Sequence, residues 1–166
     1  MKTSFLCILP LFLLFNSSFA KQPADSLKTD SEQIQKFDPA RDVKKDVQDA
    51  IRQAQKTRKR ILLDVGGEWC IWCHRLDSLF LQNKDLAEYM NKYYVVVKVN
   101  VSKENRNEEF LSRYPKVAGY PHIFVLDKNG VILHSQDTGE LEYPKNYPVK
   151  GHDKKKVFHF LEQWTQ

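Results

Sequence analysis

The sequence predicts one α/β domain in which a central mixed β-sheet carries helices on both faces. Three observations lead to it. Short apolar runs suited to buried strands alternate with segments of helical period from Val43 to Val101. "HIFVLDKNGVILHS", His122 to Ser135, reads as two apolar strands joined by an Asp127-Lys-Asn-Gly130 turn. An amphipathic segment then closes the chain. A β-α-β unit followed by a hairpin and a closing helix gives a sheet of mixed direction, covered on both sides.

Each element has its own signal. Asp38-Pro39 supplies an N-cap and a proline at the first helical position. Val43, Val47, Ala50, Ile51 and Ala54 follow at helical spacing, which predicts a first helix ending near Arg58. Ile61 to Val65, "ILLDV", is a short buried strand with one acid inside it. From Cys73 onward, Leu76, Leu79, Phe80, Leu86, Ala87 and Met90 form a helical stripe, interrupted near Gln82-Asn83. Tyr94 to Val101, "YVVVKVNV", is the strongest strand signal, β-branched with polar alternation. Glu104 to Tyr114 reads as a helix with Phe110, Leu111 and Tyr114 inward. Gly139 to Gly151 is turn-rich, and Asp153 can cap a last helix with Val157, Phe160, Leu161 and Trp164 on one face.

The length of 166 residues and a composition of 42% hydrophobic and 28% charged residues suit one globular domain. They suit neither a disordered chain nor a polytopic membrane protein. Lys2, the apolar run from Phe5 to Phe15, and Ser18-Phe19-Ala20 form a secretory signal pattern. The run is well short of the roughly 20 residues that span a bilayer. Residues 1–20 therefore read as a cleaved signal, with an uncleaved anchor as the alternative. Residues 21–37 read as a flexible polar leader and 38–166 as the domain. Lys2 is the only charged residue of the signal, so its loss takes the formal charge from +5 to +4. That mild, dispersed basicity gives no reason to expect nucleic acid, and Lys154–Lys156 reads as the solvated start of a helix.

Cleavage also removes Cys7 and leaves Cys70 and Cys73 alone. A cross-link between cysteines so close in sequence removes little chain entropy from the unfolded state. The pair is there for chemistry. Its setting, "GGEWCIWCHRLD" from Gly66 to Asp77, fits two reactions. C-x-x-C after a strand suggests a redox pair, and C-x-x-C-H suggests covalent attachment of a c-type haem.

"ILLDVGGEWCIWC" resembles the active-site segment of the thioredoxin-like family: a strand with a buried acid, a turn, a Trp, then Cys-x-x-Cys opening a helix. "GYPHIFVLD" is similar to the family's loop whose cis-proline faces the cysteines. The resemblance runs from about Val43 to Trp164, and its flavour is that of exported single-domain members and of the C-terminal domain of DsbD. It implies a thioredoxin-like fold and no cofactor beyond a Cys70–Cys73 redox disulfide; no metal is expected, because two cysteines with no second C-x-x-C and no H-x-x-x-H leave the remaining ligands of a zinc site unexplained. It assigns Asp64 as the buried acid and Pro121, after Tyr120, as the cis-proline, leaving the preceding backbone free for an extended substrate.

The chemistry of the residues agrees. A cysteine at a helix N-terminus faces unpaired N–H groups and the positive end of the macrodipole, which favour its thiolate. Lowering its pKa from about 8.5 to about 7 takes the thiolate at neutral pH from a few per cent to about half. Cys70 is then the exposed nucleophile and Cys73 the more buried resolving thiol. Asp64, in an apolar strand, is costly unless protonated or paired, so a raised pKa and a role as proton acceptor for Cys73 are expected. Trp69, Trp72 and Tyr120 are expected to give an apolar docking rim. Glu68 and His74 either tune the thiolate or face water. Ile71-Trp72 departs from the Gly-Pro of thioredoxins and leaves oxidant or reductant open; Asp64 favours reductant.

The haem reading would make thioethers of both cysteines and an axial ligand of His74. It leaves the buried strand and the Gly-Tyr-Pro loop unexplained, and Met90, several turns down the helix, is too far to serve as the second ligand, which leaves His122, His134, His152 or His159 for that place. A non-catalytic binding module would not need an intact C-x-x-C. The expected protein is a monomeric periplasmic reductase or isomerase acting on disulfides of other exported proteins. It would draw electrons from a membrane thiol donor of the DsbD kind. The ending "EQWTQ" is not a retention signal, which argues against the endoplasmic reticulum.

Overall fold

The computed structural model describes residues 36–165, and the signal and most of the leader expected from the sequence lie outside them. Five helices and four strands follow in the order α1 (Val43–Thr57), β1 (Arg60–Gly66), α2 (Ile71–Gln82), α3 (Lys84–Tyr93), β2 (Tyr94–Asn100), α4 (Glu108–Leu111), β3 (His122–Leu126), β4 (Ile132–Asp137) and α5 (Lys154–Gln163). The sheet order is β2-β1-β3-β4. β1 pairs parallel with β2 and antiparallel with β3, and β3 pairs antiparallel with β4. This is the mixed sheet the sequence predicts. Among the described residues no helix is long and apolar enough to cross a membrane.

The alternation of strand side chains divides the core in two. Ile61, Leu63 and Val65 of β1, with Val95, Val97 and Val99 of β2, pack under α1. Leu62 faces the other way, among Leu76, Phe80, Leu86, Val157 and Phe160 of the α2, α3 and α5 layer. Asp64 is two residues beyond Leu62 and shares its face. The strand period thus delivers an acid to the layer that begins with the cysteines.

Three expectations need correction. Helix α1 starts at Val43, capped by Asp42, whose carboxylate accepts the N–H groups of Lys44 and Lys45 at 3.0 and 3.2 Å. Asp38-Pro39 instead forms a separate turn, with Asp38 accepting from the Ala40 N–H. The helix expected over Glu104–Tyr114 shrinks to the single turn α4. Ser102 and Asn105 bond the backbone around them, and Asn107 is in the left-handed region at φ 49°. Those local bonds compete with a helix and hold residues 102–107 as a loop. Phe37, placed in the flexible leader, is 1% exposed and packs against the cysteine pair. The folded unit begins before Asp38, because the last apolar side chain of the leader has a core site to fill.

Elsewhere the signals act as read. The stripe from Cys73 to Met90 breaks at Asn83 into α2 and α3. Gly130 makes the hairpin turn at φ 85°, where a Cβ would also meet Ile51. Asp153 caps α5 by accepting the Lys155 N–H. At the start of α5, Lys154 pairs with Asp85 at 2.8 Å and Lys156 donates to the Glu140 and Glu142 carbonyls.

Candidate active site around the Cys70–Cys73 disulfide

Strand β1 ends at Gly66, and Gly67 and Glu68 turn the chain so that Cys70 becomes the N-cap of α2. Cys70 and Cys73 are joined as a disulfide with their Cα atoms 5.2 Å apart. The Cys73 N–H donates to Cys70 Sγ at 3.1 Å. A charge developing on that sulfur therefore meets a backbone donor and the positive end of the helix. Gly66 lies directly beneath: a Cβ there would run into Cys73 Sγ and the Phe37 ring. Cys70 is 4% exposed and Cys73 1%. The expected order holds, but the expected exposure of Cys70 does not, because Phe37, Trp72 and Tyr120 pack around the bridge.

The rim differs from the one expected. Trp69 is 61% exposed, its indole N–H fixed on the Val101 carbonyl at 2.7 Å and its ring edge-on to Tyr120 at 5.6 Å. Ile71 is equally exposed and joins it. Trp72 is half-buried: Arg75 lies over its face at 4.3 Å and His152 meets it edge-on. The Tyr120–Pro121 bond is cis, and the Pro121 carbonyl is anchored by the Thr138 hydroxyl at 2.6 Å. From Trp69 and Tyr120 a groove of about 870 Å³ runs past Val101, Leu111 and Val117.

Glu68 and His74, left open by the sequence, are bound to the frame. The Glu68 carboxylate accepts the Phe37 N–H at 2.8 Å, and its carbonyl pairs with His74 Nε2 at 2.8 Å. Together they tie the entering chain and α2 to the turn that carries Trp69.

Behind the disulfide lies an ion cluster. Lys98 Nζ reaches Asp64 Oδ2 at 2.6 Å and Asp77 Oδ1 at 2.5 Å, and sits 4.3 Å over the Phe37 ring. Of the two conditions the sequence set for Asp64, protonated or paired, the structure shows the pairing, and its partner is Lys98. Burial works against the Lys98 charge, but attraction to Asp64 and then Asp77 outweighs it and raises its pKa. Burial likewise pushes the Asp77 carboxyl up, against the pull of Lys98. One buried cation serves two acids. Asp64 Oδ1 is buried with no hydrogen-bond partner among the described residues.

Sequence reasoning missed Lys98, Asp77 and Phe37, gave Ile71 a part in redox poise but none in the rim, and met His152 only as one possible haem ligand. A lysine inside "YVVVKVNV" and an acid one helical turn after Cys73 were the available signals for the first two. Phe37 offered only an aromatic residue in a polar stretch.

This fold and this disulfide define a thioredoxin-like protein with a Cys-x-x-Cys bridge at a helix N-terminus. A family model described as thioredoxin-like matches residues 42–128, more than half of the chain, and the chain belongs to that family. The disulfide bond reductase DsbH of Chlamydia pneumoniae is 26% identical over 94 residues, 51% of this chain and 56% of that protein. The chain thus spans about half the length of that relative. Among solved structures, a disulphide isomerase from Xylella fastidiosa Temecula1 aligns at a TM-score of 0.66 and 25% identity, covering 81% of this chain and 100% of that one. The DsbD C-terminal domain of Neisseria meningitidis, in its oxidised form, shares the fold at a TM-score of 0.51 and 18% identity, covering 74% and 96%.

Proposed function

We propose that this protein is an exported thiol–disulfide oxidoreductase that reduces or rearranges disulfides of other exported proteins. The observation that carries it is the Cys70–Cys73 disulfide at the mouth of α2, with the Cys73 N–H already on Cys70 Sγ. In the reduced protein, Cys70 attacks a substrate disulfide, forming a mixed disulfide and releasing one substrate thiol. Cys73 then attacks Cys70, restoring the bridge and releasing the second thiol. Asp64 takes the Cys73 proton in that second step. Trp69, Ile71 and Tyr120 supply apolar contact, and the adjoining groove accepts extended chain beside Pro121.

The named relatives, a reductase and an isomerase of disulfides, support the reaction class. The buried strand leading into the motif and the Tyr120–Pro121 cis loop, which haem attachment does not require, favour redox exchange over haem attachment. We place the protein in the periplasm on the signal pattern of residues 1–20, with a membrane thiol donor of the DsbD kind returning electrons.

The test is the Cys70–Cys73 reduction potential, by equilibration in graded thiol–disulfide buffers. A value below about −220 mV supports a reductase and makes a donor obligatory. One above about −150 mV makes the protein an oxidant or isomerase. In parallel, Cys73→Ser traps mixed disulfides through Cys70. No trapped species at all overturns the reaction.

A further inference from the structure

Between Leu141 and Asp153 the chain leaves the fold and returns to it through a narrow neck. Glu142 and His152 form an antiparallel bridge there. The Tyr143 N–H donates to the Gly151 carbonyl at 3.1 Å, and the Asp153 N–H donates to the Leu141 carbonyl at 2.8 Å. Tyr143 to Gly151 form the loop beyond the neck, and its own contacts fix its shape. Tyr143 and Tyr147 stack with ring centroids 4.4 Å apart and planes at 8°. The Tyr147 N–H turns back to the Pro144 carbonyl at 2.8 Å, and Lys150 Nζ donates to the Lys145 carbonyl at 3.0 Å. Pro144 and Pro148 restrict the backbone further.

This order serves no core. Residues 144–150 are exposed without a break, with Tyr147 at 46% and Val149 at 60%. A stiffened loop that presents an aromatic and an aliphatic side chain loses little entropy when something docks on it. Its charge is of one sign: from Tyr143 to Gly151 there are two lysines and no acid. At the neck, Lys156 of α5 donates to the Glu140 and Glu142 carbonyls at 3.2 and 2.7 Å. The acids there are engaged, since Glu140 accepts from Gln136 at 2.9 Å and Glu142 is half-buried. The neck also touches the redox site. His152 meets Trp72 edge-on with centroids 5.8 Å apart, and Trp72 packs against the Cys70–Cys73 pair. Arg75 adds a further cation over the Trp72 face at 4.3 Å. The groove beside Trp69 and Tyr120 is lined by no residue of this loop. The disulfide is thus flanked by two separate surfaces, an apolar groove at Trp69 and a cationic loop reached through Trp72.

We propose that Tyr143–Gly151 is a docking arm for the substrate polypeptide, and that it selects substrates with acidic residues beside their disulfide. This rests on the exchange reaction proposed above and names its substrate class. In that reaction two electrons and two protons pass from the cysteine pair to the substrate disulfide, which leaves as two thiols while Cys70 and Cys73 close their bridge. The arm makes and breaks no bond. Tyr147 and Val149 cover apolar surface of the bound chain, and Lys145 and Lys150 meet its carboxylates. Attraction between opposite charges acts mainly on the rate of encounter, and salt screens it.

The test measures single-turnover rates of the reduced full-length protein, by acid quench and mass spectrometry, on three disulfides. Two are peptides that differ only in carrying aspartates or lysines beside the disulfide, and the third is hydroxyethyl disulfide, small and uncharged. The acidic peptide is expected to react about tenfold faster than the basic one at low salt, with the preference fading towards about 1 M salt. Lys145→Gln with Lys150→Gln is expected to remove the preference, and Lys145→Glu with Lys150→Glu to reverse it. Tyr147→Ser with Val149→Ser is expected to slow both peptides about threefold. Every variant should reduce hydroxyethyl disulfide at the wild-type rate, which shows the fold and the cysteine pair intact. Equal wild-type rates on the two peptides, or a preference that survives the lysine variants, overturns the arm, while reduction of hydroxyethyl disulfide keeps the exchange reaction. Binding to phosphatidylglycerol vesicles that is lost with the lysines, without any peptide preference, makes the loop a membrane contact and also overturns the proposal. If none of the three disulfides is reduced, the exchange reaction itself fails and the arm with it.

Discussion

Lys98 and Asp64 stand opposite each other in the parallel register of β1 and β2, and their side chains meet at 2.6 Å inside the core. Asp77 approaches the same ammonium from α2. Removing one member of a buried pair leaves a charge with nothing to balance it, which costs more than the intact pair contributes. Lys98→Met is expected to lower stability by about 3–5 kcal/mol in urea denaturation. Adding Asp64→Leu to it should recover part of that loss. Full additivity of the two changes would show that the pair is not coupled.

Gly66 gives the second expectation. The space a methyl group would need is already taken by Cys73 Sγ and the Phe37 ring. Gly66→Ala is expected to cost about 1–3 kcal/mol, as overpacking does, and to shift the Cys70–Cys73 potential because it presses on one sulfur. Wild-type stability and potential would show that the strand end has room to move.

The pH dependence of stability follows from His152. Its pKa is lowered to about 4 by burial, against an ordinary value of 6.5. The folded state therefore resists protonation, so its full stability is present above pH 6.5 and is lost as pH falls towards 4. The loss amounts to about 3 kcal/mol. Asp77, with a raised carboxyl pKa, acts in the opposite direction over its own acid range. The difference between wild type and His152→Gln isolates the histidine. Urea midpoints at pH 7 and 4.5 should lie closer together in the variant than in the wild type, and an equal separation would contradict the burial of a neutral ring.

Phe37 supplies the fourth. It packs on the disulfide, roofs the Lys98 ammonium at 4.3 Å and is pinned by its N–H to Glu68. Phe37→Ala is expected to cost about 3 kcal/mol, the low end for a buried aromatic ring. It should also quicken alkylation of the reduced cysteines by opening their buried side. Unchanged alkylation would mean that the ring only fills volume.

The strands were legible because each carries a period and a bounded length. "ILLDV" and "YVVVKVNV" became β1 and β2 within a residue or so at each end. The cysteine pair and Pro121 were legible because two separated motifs agreed with one family. What escaped came from contacts distant in sequence. Asp64 read as an acid that must be protonated or paired, and its partner went unnamed because it is 34 residues away, on the neighbouring strand. The helix over 104–114 was overread because Ser102 and Asn105 spend their side chains on the loop backbone, an outcome periodicity does not register. His152 read only as one of four histidines able to ligate a haem. Its position depends on a turn-rich segment returning to Trp72, and nothing local in "VKGHDKK" encodes that return.

Two of the three tryptophans flank the bridge, while Trp164 stacks on His134 at 4.4 Å away from the motif. A disulfide is an efficient quencher of indole emission at short range. Opening Cys70–Cys73 should therefore brighten Trp69 and Trp72 and leave Trp164 as a steady background. The protein carries its own optical gauge of redox state, readable without a dye and on the timescale of mixing.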